Sequence, residues 1–254
     1  MNYFDANTWT GRWPFAFLDA HTPRTLNARL AQHGIRRALV SSLDAVFAPS
    51  PGQANRELRR TTRGVKGLVP IPVINPALAD WREELEAVAS DSRVSAVRLL
   101  PAYHNYRLSN RMVDELAVEL VRRRLRLIVQ VRLIDERHEY HALTIKPVRG
   151  VDLAALLKRH AKLPVLASGL LRSEILPLLP KHPNLLADLS LAEWHETMRH
   201  LLAKVSPRQL AFASHTPFLI TAAARAKLDT SGVPAGKLSA IAAGNLQRWL
   251  GLKR

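Results

Sequence analysis

The chain has 254 residues, 47% of them hydrophobic, which is enough for one large core and excludes a disordered chain; no apolar run reaches the roughly 20 residues needed to cross a bilayer. The absence of cysteine excludes disulfides, thiolate metal sites and a cysteine nucleophile. A formal charge of +16, from 37 Lys and Arg against 21 Asp and Glu, could favour nucleic acid, anionic lipid or acidic substrates through its long-range field. The basic runs Arg56-Glu57-Leu58-Arg59-Arg60 and Arg122-Arg123-Arg124 sit among apolar neighbours at helical spacing, however. They predict solvated outer helix faces rather than a nucleic-acid site.

The start, residues 1–9, lacks the basic-then-apolar order of a signal peptide, so the expected location is cytoplasmic, with no membrane partner. From there, short apolar runs alternate with amphipathic stretches, the pattern of parallel strands joined by helical crossovers. Strands are predicted at residues 3–7, 37–42, 67–73, 95–101, 126–132, 164–168, 185–190 and 209–214. Thr22-Pro23 reads as the cap and first turn of a helix whose Leu26 and Leu30 share a face and whose end is marked by Gly34. Asn75-Pro76 is expected to open a second helix, and Ser109 or Asn110 another with an apolar stripe of Met112, Val113, Leu116, Leu120 and Val121.

Residues 134–150 are long for a connection and rich in charge and histidine, which predicts an excursion over one end of the sheet. The last segment, residues 234–250, offers Leu238, Ile241, Leu246, Trp249 and Leu250 for burial as an extra docked helix. Eight strands are the number that closes a (β/α)8 TIM barrel, a fold of about 250 residues. One α/β barrel domain spanning residues 1–254, with an extra C-terminal helix, is the expected architecture.

A barrel of this kind places its chemistry at the C-terminal ends of the strands. The polar residues there are Asn7 with Trp9, Ser41 and Ser42, Asn75, Arg98 with His104, Gln130 with Arg132, Ser168, Asp188 with Ser190, and His215. Nucleophile-elbow and phosphate-loop sequences do not occur, so no nucleotide cofactor is expected. His138 and His141 are three apart in the charged tract and could share a metal with a carboxylate; a solvated loop is the plainer reading.

Three stretches resemble the amidohydrolase-related (amidohydrolase 2) family of metal-dependent barrel hydrolases and decarboxylases. Phe4-Asp5-Ala6-Asn7-Thr8-Trp9-Thr10-Gly11 is similar to the opening strand, where an Asp precedes a His-x-His pair. Phe212-Ala213-Ser214-His215-Thr216-Pro217-Phe218 is similar to the eighth strand, and Ala242-Ala243-Gly244-Asn245-Leu246 to the closing helix. The resemblance puts Asn7 and Trp9 where the paired His ligands would stand, Gln130 and Ser168 at the histidines of strands five and six, and His215 at the Asp of strand eight. Every ligand position is therefore changed, and the usual metal site is expected to be absent; zinc or manganese at an altered set of ligands is the alternative.

Two function classes remain open from the sequence. In the first, an amidohydrolase-like hydrolase or decarboxylase acts on a small acidic compound: Arg98 and Arg132 hold the anion, Gln130, Asn7, Trp9, Tyr106 and Ser168 line its site, and His104, His215 and Asp188 move protons. In the second, the barrel binds a small anion or a partner protein without catalysis, alone or as a homo-oligomer. Arg98 could equally pair with Asp188, and His215 with Asp188 could be a purely structural hydrogen-bonded pair.

Overall fold

The computed structural model describes residues 1–135, 137, 140 and 142–252. All eight expected strands are present: β1 (Tyr3–Thr10), β2 (Ile35–Ser42), β3 (Leu68–Pro70), β4 (Ala96–Leu99), β5 (Arg126–Gln130), β6 (Val165–Ser168), β7 (Leu185–Asp188) and β8 (Leu210–Ala211). The helices α1 (Pro23–Gln32), α2 (Gly52–Thr62), α3 (Trp81–Ala89), α4 (Arg111–Arg122), α5 (Gly150–Arg159), α6 (Arg172–Leu178) and α7 (Thr197–Leu202) fill the crossovers between successive strands. After β8 come α8 (Thr221–Asp229), α9 (Ala235–Ser239) and α10 (Asn245–Trp249). Among the described residues no helix is long and apolar enough to cross a membrane.

Pairing is parallel throughout, in two regular runs, β1-β2-β3 and β4-β5-β6-β7-β8. Backbone hydrogen bonds just beyond those runs close the ring. Arg98 N donates to Pro72 O at 2.8 Å and Ile74 N to Arg98 O at 3.0 Å, joining β3 to β4. Ala6 N donates to Phe212 O and Trp9 N to Thr216 O, each at 2.9 Å, joining β8 to β1. β3 is short because Pro70 and Pro72 have no N–H to contribute to a ladder. The product is a closed (β/α)8 barrel.

Local signals account for much of the crossover geometry. Thr22 caps α1, accepting from Thr25 N at 3.1 Å while Thr25 Oγ1 accepts from Thr22 N at 3.0 Å. Gly34, at φ +68°, ends it. The basic runs lie on the outer sides of α2 and α4, where Arg60 pairs with Glu57, Arg122 with Glu119 and Arg123 with Glu86. Two expectations need correcting. No helix opens at Asn75-Pro76: the Asn75 side chain accepts from Ala77 N at 3.1 Å and turns the chain, and α3 begins only at Trp81. In α4, Val121 is 38% exposed and the buried stripe is Val113, Leu116, Ala117 and Leu120.

Period-two alternation sends Phe4, Leu39, Ile71, Ala96, Ile128, Leu166, Leu186 and Ala211, all buried, into the barrel as one apolar cluster. Leu246 and Leu250 from the last helix join that cluster, and Arg126 at the start of β5 donates to Trp249 O at 2.9 Å. The extra helix thus plugs the N-terminal end of the barrel, with Trp249 only partly buried at its rim. Leu246→Ala is expected to cost about 3 kcal/mol in urea denaturation at unchanged m-value. A cost near zero would mean that the helix is not a plug.

Candidate active site

Two residues further along the same strands the inward positions become polar: Arg98 on β4, Gln130 on β5, Ser168 on β6 and Asp188 on β7, all buried. On β1 the pairing register gains one residue between Asp5 and Thr8, opposite Ala38 and Val40. This bulge reverses the alternation, so that Phe4 and Ala6 join the lower apolar cluster while Asn7 and Trp9 are aimed at the polar layer above it. The layer is formed by tertiary closure: its members come from strands far apart in the chain.

Arg98 lies at the centre of this layer, with a relative exposure of 0%. Its Nη1 donates to Asn7 Oδ1 at 2.8 Å and, over a shorter contact, to Gln130 Oε1; its guanidinium lies 4.3 Å from the centroid of the Trp9 ring. Burial lowers its pKa to about 9, opposed by the charge of Asp188, so it stays protonated at neutral pH. Nε and Nη2 have no hydrogen-bond partner among the described residues.

Donor and acceptor chemistry fixes the rest of the network. Arg98 and Trp9 Nε1, at 3.0 Å, can only donate, so they hold the Asn7 carbonyl oxygen toward them and leave its Nδ2 to donate to His215 Nδ1 at 2.8 Å. His215 must then carry its proton on Nε2, which donates to Leu133 O at 2.5 Å. Burial pushes the His215 pKa down to about 4, with the Leu133 carbonyl opposing. The imidazole is neutral, engaged at both nitrogens and held at φ +56°, a strained conformation for a non-glycine residue.

Two buried carboxyls complete the layer. Asp188 Oδ1 accepts from Ser190 Oγ at 2.7 Å, Ser190 N at 3.1 Å and Gly169 N at 3.3 Å; Asp5 Oδ1 accepts from Ser214 N at 3.0 Å and Asn7 N at 3.1 Å. In both, Oδ2 has no partner among the described residues, and neither has Ser168 Oγ. Burial pushes Asp5 up to about 7 against the hydrogen bonds from Ser214 and Asn7. Asp5 served in the sequence only as a landmark of β1, since a single carboxyl carries no pattern that signals its burial.

Several expected members lie elsewhere or are otherwise engaged. Arg132 grips Glu174 through Nη1 at 3.1 Å and Nη2 at 3.2 Å and Gly169 O at 2.9 Å, so its charge is matched by a carboxylate rather than open to a ligand. His104 bonds Ala45 O at 3.1 Å and faces Tyr106, its pKa lowered by burial; Tyr106 itself belongs to the core between helices and barrel. Asp188 makes neither a hydrogen bond to His215 nor an ion pair with Arg98 among the described residues, because Ser190 and Gly169 hold it on its own side of the barrel. His138 and His141 lie outside the described residues.

Above the layer Trp13 packs against Phe15, Phe47, Tyr103 and Phe218 at centroid distances of 5.2–6.5 Å, and Phe218 stacks on His215 at 5.2 Å. Ile134, Tyr140, Leu143 and Ile145 line a cavity of about 250 Å³ with Trp13, Phe15 and Tyr103, so the described part of the long connection extends over the mouth. A larger cavity of about 630 Å³ beside β7 and β8 is lined by Ser190, Ser214 and Lys227 and reaches the partners of Asp188 and Asp5.

No family model and no curated protein matches the chain. Solved structures do. The 5-carboxyvanillate decarboxylase of Sphingomonas paucimobilis superposes with a TM-score of 0.75 at 15% identity over 99% of each chain. An uncharacterised TIM-barrel protein of Bordetella bronchiseptica gives 0.74 at 13% over 99% of each. An amidohydrolase of Burkholderia multivorans with bound zinc gives 0.70 at 13% over the whole of both chains. The fold is therefore a TIM barrel, shared with a decarboxylase and an amidohydrolase.

A zinc ion is present in one of those barrels, but the residues described at the corresponding strand ends here do not fit one. Among the described residues no group of three or more His, Cys, Asp or Glu is placed to hold a metal. Asn7 and Gln130 present amide oxygens already bonded to Arg98, Trp9 has no lone pair to give, and both His215 nitrogens are engaged.

Two of the shifted groups, Asp5 and His215, give opposite pH dependences. Folded Asp5 keeps its proton up to about pH 7, whereas the unfolded residue loses it near 3.8, so this group makes stability fall as pH rises between those values. Folded His215 stays neutral down to about pH 4, whereas the unfolded residue protonates below 6.5, so this group makes stability rise with pH across that window. Relative to wild type, Asp5→Asn should give a urea midpoint that climbs more steeply from pH 4 to 6.5, and His215→Asn one that falls. Identical slopes in all three proteins would mean that neither group is shifted.

Proposed function

We propose that this chain is an amidohydrolase-like enzyme, a hydrolase or decarboxylase, acting on a small carboxylate compound. The observation that carries the reading is the Arg98 guanidinium, buried, hydrogen-bonded to two neutral amide oxygens, and with an Nε/Nη2 edge that has no partner among the described residues. A planar fork of this kind matches the two oxygens of a carboxylate, and in a water-poor barrel it also stabilises negative charge that develops during reaction. The decarboxylase of the same fold, named for 5-carboxyvanillate, supports the substrate class.

In this reading Arg98 holds the anion, and Asn7, Trp9 and Gln130 fix the guanidinium. Decarboxylation leaves an electron pair on carbon that must be protonated, and Asp5, partly protonated near neutral pH, is a donor of suitable strength. Hydrolysis requires a base for water, a role open to Asp188 Oδ2. His215 acts through Asn7 as a positioning residue, because both of its nitrogens are engaged.

The test is turnover of 5-carboxyvanillate, substituted benzoates and small lactone acids, followed as carbon dioxide release and ring opening by chromatography. Arg98→Met is expected to lower kcat/KM by about 100-fold or more, and His215→Asn to alter kcat with less change in KM. Wild-type turnover that survives both substitutions unchanged would overturn the reading, and binding without any turnover would leave a non-catalytic anion-binding barrel.

A further inference from the structure

We propose that the Arg98 guanidinium is the resident cation of this barrel, standing among the side chains to which the family resemblance gives a divalent metal. The claim concerns the cation of the site and does not rest on whether the bound compound is turned over.

Three of the five residues at ligand positions converge on this one group, each in a manner that suits a guanidinium. Asn7 and Gln130 accept from Nη1 with amide oxygens, and Trp9 offers the face of its ring at 4.3 Å. A fourth, His215, is turned into the Asn7–Leu133 bridge, with neither nitrogen open. Ser168 contributes a hydroxyl, a poor ligand for zinc. A dication entering this layer would meet a fixed positive charge at its centre.

Asp188 acts on Arg98 only through its field, and no carboxylate hydrogen-bonds the guanidinium among the described residues. Arg132, one strand over, is matched by the Glu174 carboxylate, whereas among the described residues the side-chain hydrogen-bond partners of Arg98 are neutral. What its unpartnered edge would take is visible elsewhere in the chain. Arg60 holds Glu57, Arg137 holds Asp135 and Arg149 holds Asp152 through the same Nε and Nη2 pair, at 2.5–2.9 Å. On Arg98 that pair is buried and has no acceptor among the described residues, and a buried donor without an acceptor is costly. An exogenous carboxylate would satisfy both donors and balance the charge, so anion binding here needs no metal.

The experiment uses wild-type protein expressed with added zinc or manganese, desalted, and assayed for metal by elemental analysis. Melting temperature is then followed with formate, acetate or benzoate, each with and without a chelator. The expected result is far less than one metal per chain, no effect of chelator or metal on melting, and stabilisation by at least one of the three carboxylates that persists in chelator. Arg98→Met should weaken that binding by about 100-fold. Arg98→Lys, which keeps the charge and loses the fork, should also weaken it, with folding of both variants checked by circular dichroism.

One tightly held metal per chain, a stabilisation abolished by chelator, or no stabilisation by any of the three would overturn the inference. Turnover that requires added metal would likewise overturn it while leaving the enzyme reading intact. Chelator-resistant binding without turnover would do the reverse.

Discussion

A guanidinium with no exposure to solvent, at the centre of a barrel, is the constraint from which the rest of the polar layer follows. Moving such a cation out of water is costly, and the structure offsets that cost with two amide oxygens, a ring face and the field of the Asp188 carboxylate rather than with a direct ion pair. Because the cation can only donate, it sets the orientation of Asn7. Asn7 in turn sets the tautomer of His215, and burial then keeps that imidazole neutral.

Backbone geometry serves the same end. The β1 bulge aims Asn7 and Trp9 at the layer, and Arg98 itself makes both backbone hydrogen bonds that join β3 to β4. Closure of the barrel and placement of the charge are therefore linked at one residue. Gly169, at φ +79°, approaches the Arg132 backbone so closely that an added Cβ would lie 2.1 Å from the Arg132 oxygen, and its N–H helps hold Asp188. The residues of the layer are buried beneath the aromatic residues over the mouth, and a surrounding of low dielectric strengthens the electrostatic interactions inside it.

The strand pattern was legible in the sequence because parallel strands buried on both faces are continuous apolar runs, and all eight appear where such runs stand. The start of α1 was legible as well, since Thr22, Pro23 and Thr25 act locally. Asn75-Pro76 misled because the same residues that cap a helix also make a turn, and only the following chain decides between them. Among site residues, Asn7, Trp9, Arg98, Gln130, Ser168, Asp188 and His215 fall on the expected face. Arg132, His104 and Tyr106 were assigned by nearness in sequence to strand ends, which says nothing of Glu174, Ala45 or the helical core that claim them.

By itself the sequence determined the number and type of elements and the chemical character of each strand end, because these depend on residues a few positions apart. The replacement of ligand-type residues by Asn7, Trp9, Gln130 and Ser168 belongs to that level too. Only the tertiary structure decided which charges are matched and which are left open. Glu174 reaches Arg132, Gly169 helps hold Asp188, and Arg98 meets neutral hydrogen-bond partners among the described residues, through tertiary contacts of the closed barrel that join residues as many as 91 positions apart. The burial that raises Asp5 and lowers His215 comes from the same closure, since desolvation is a property of the whole packed barrel and of no local stretch of chain.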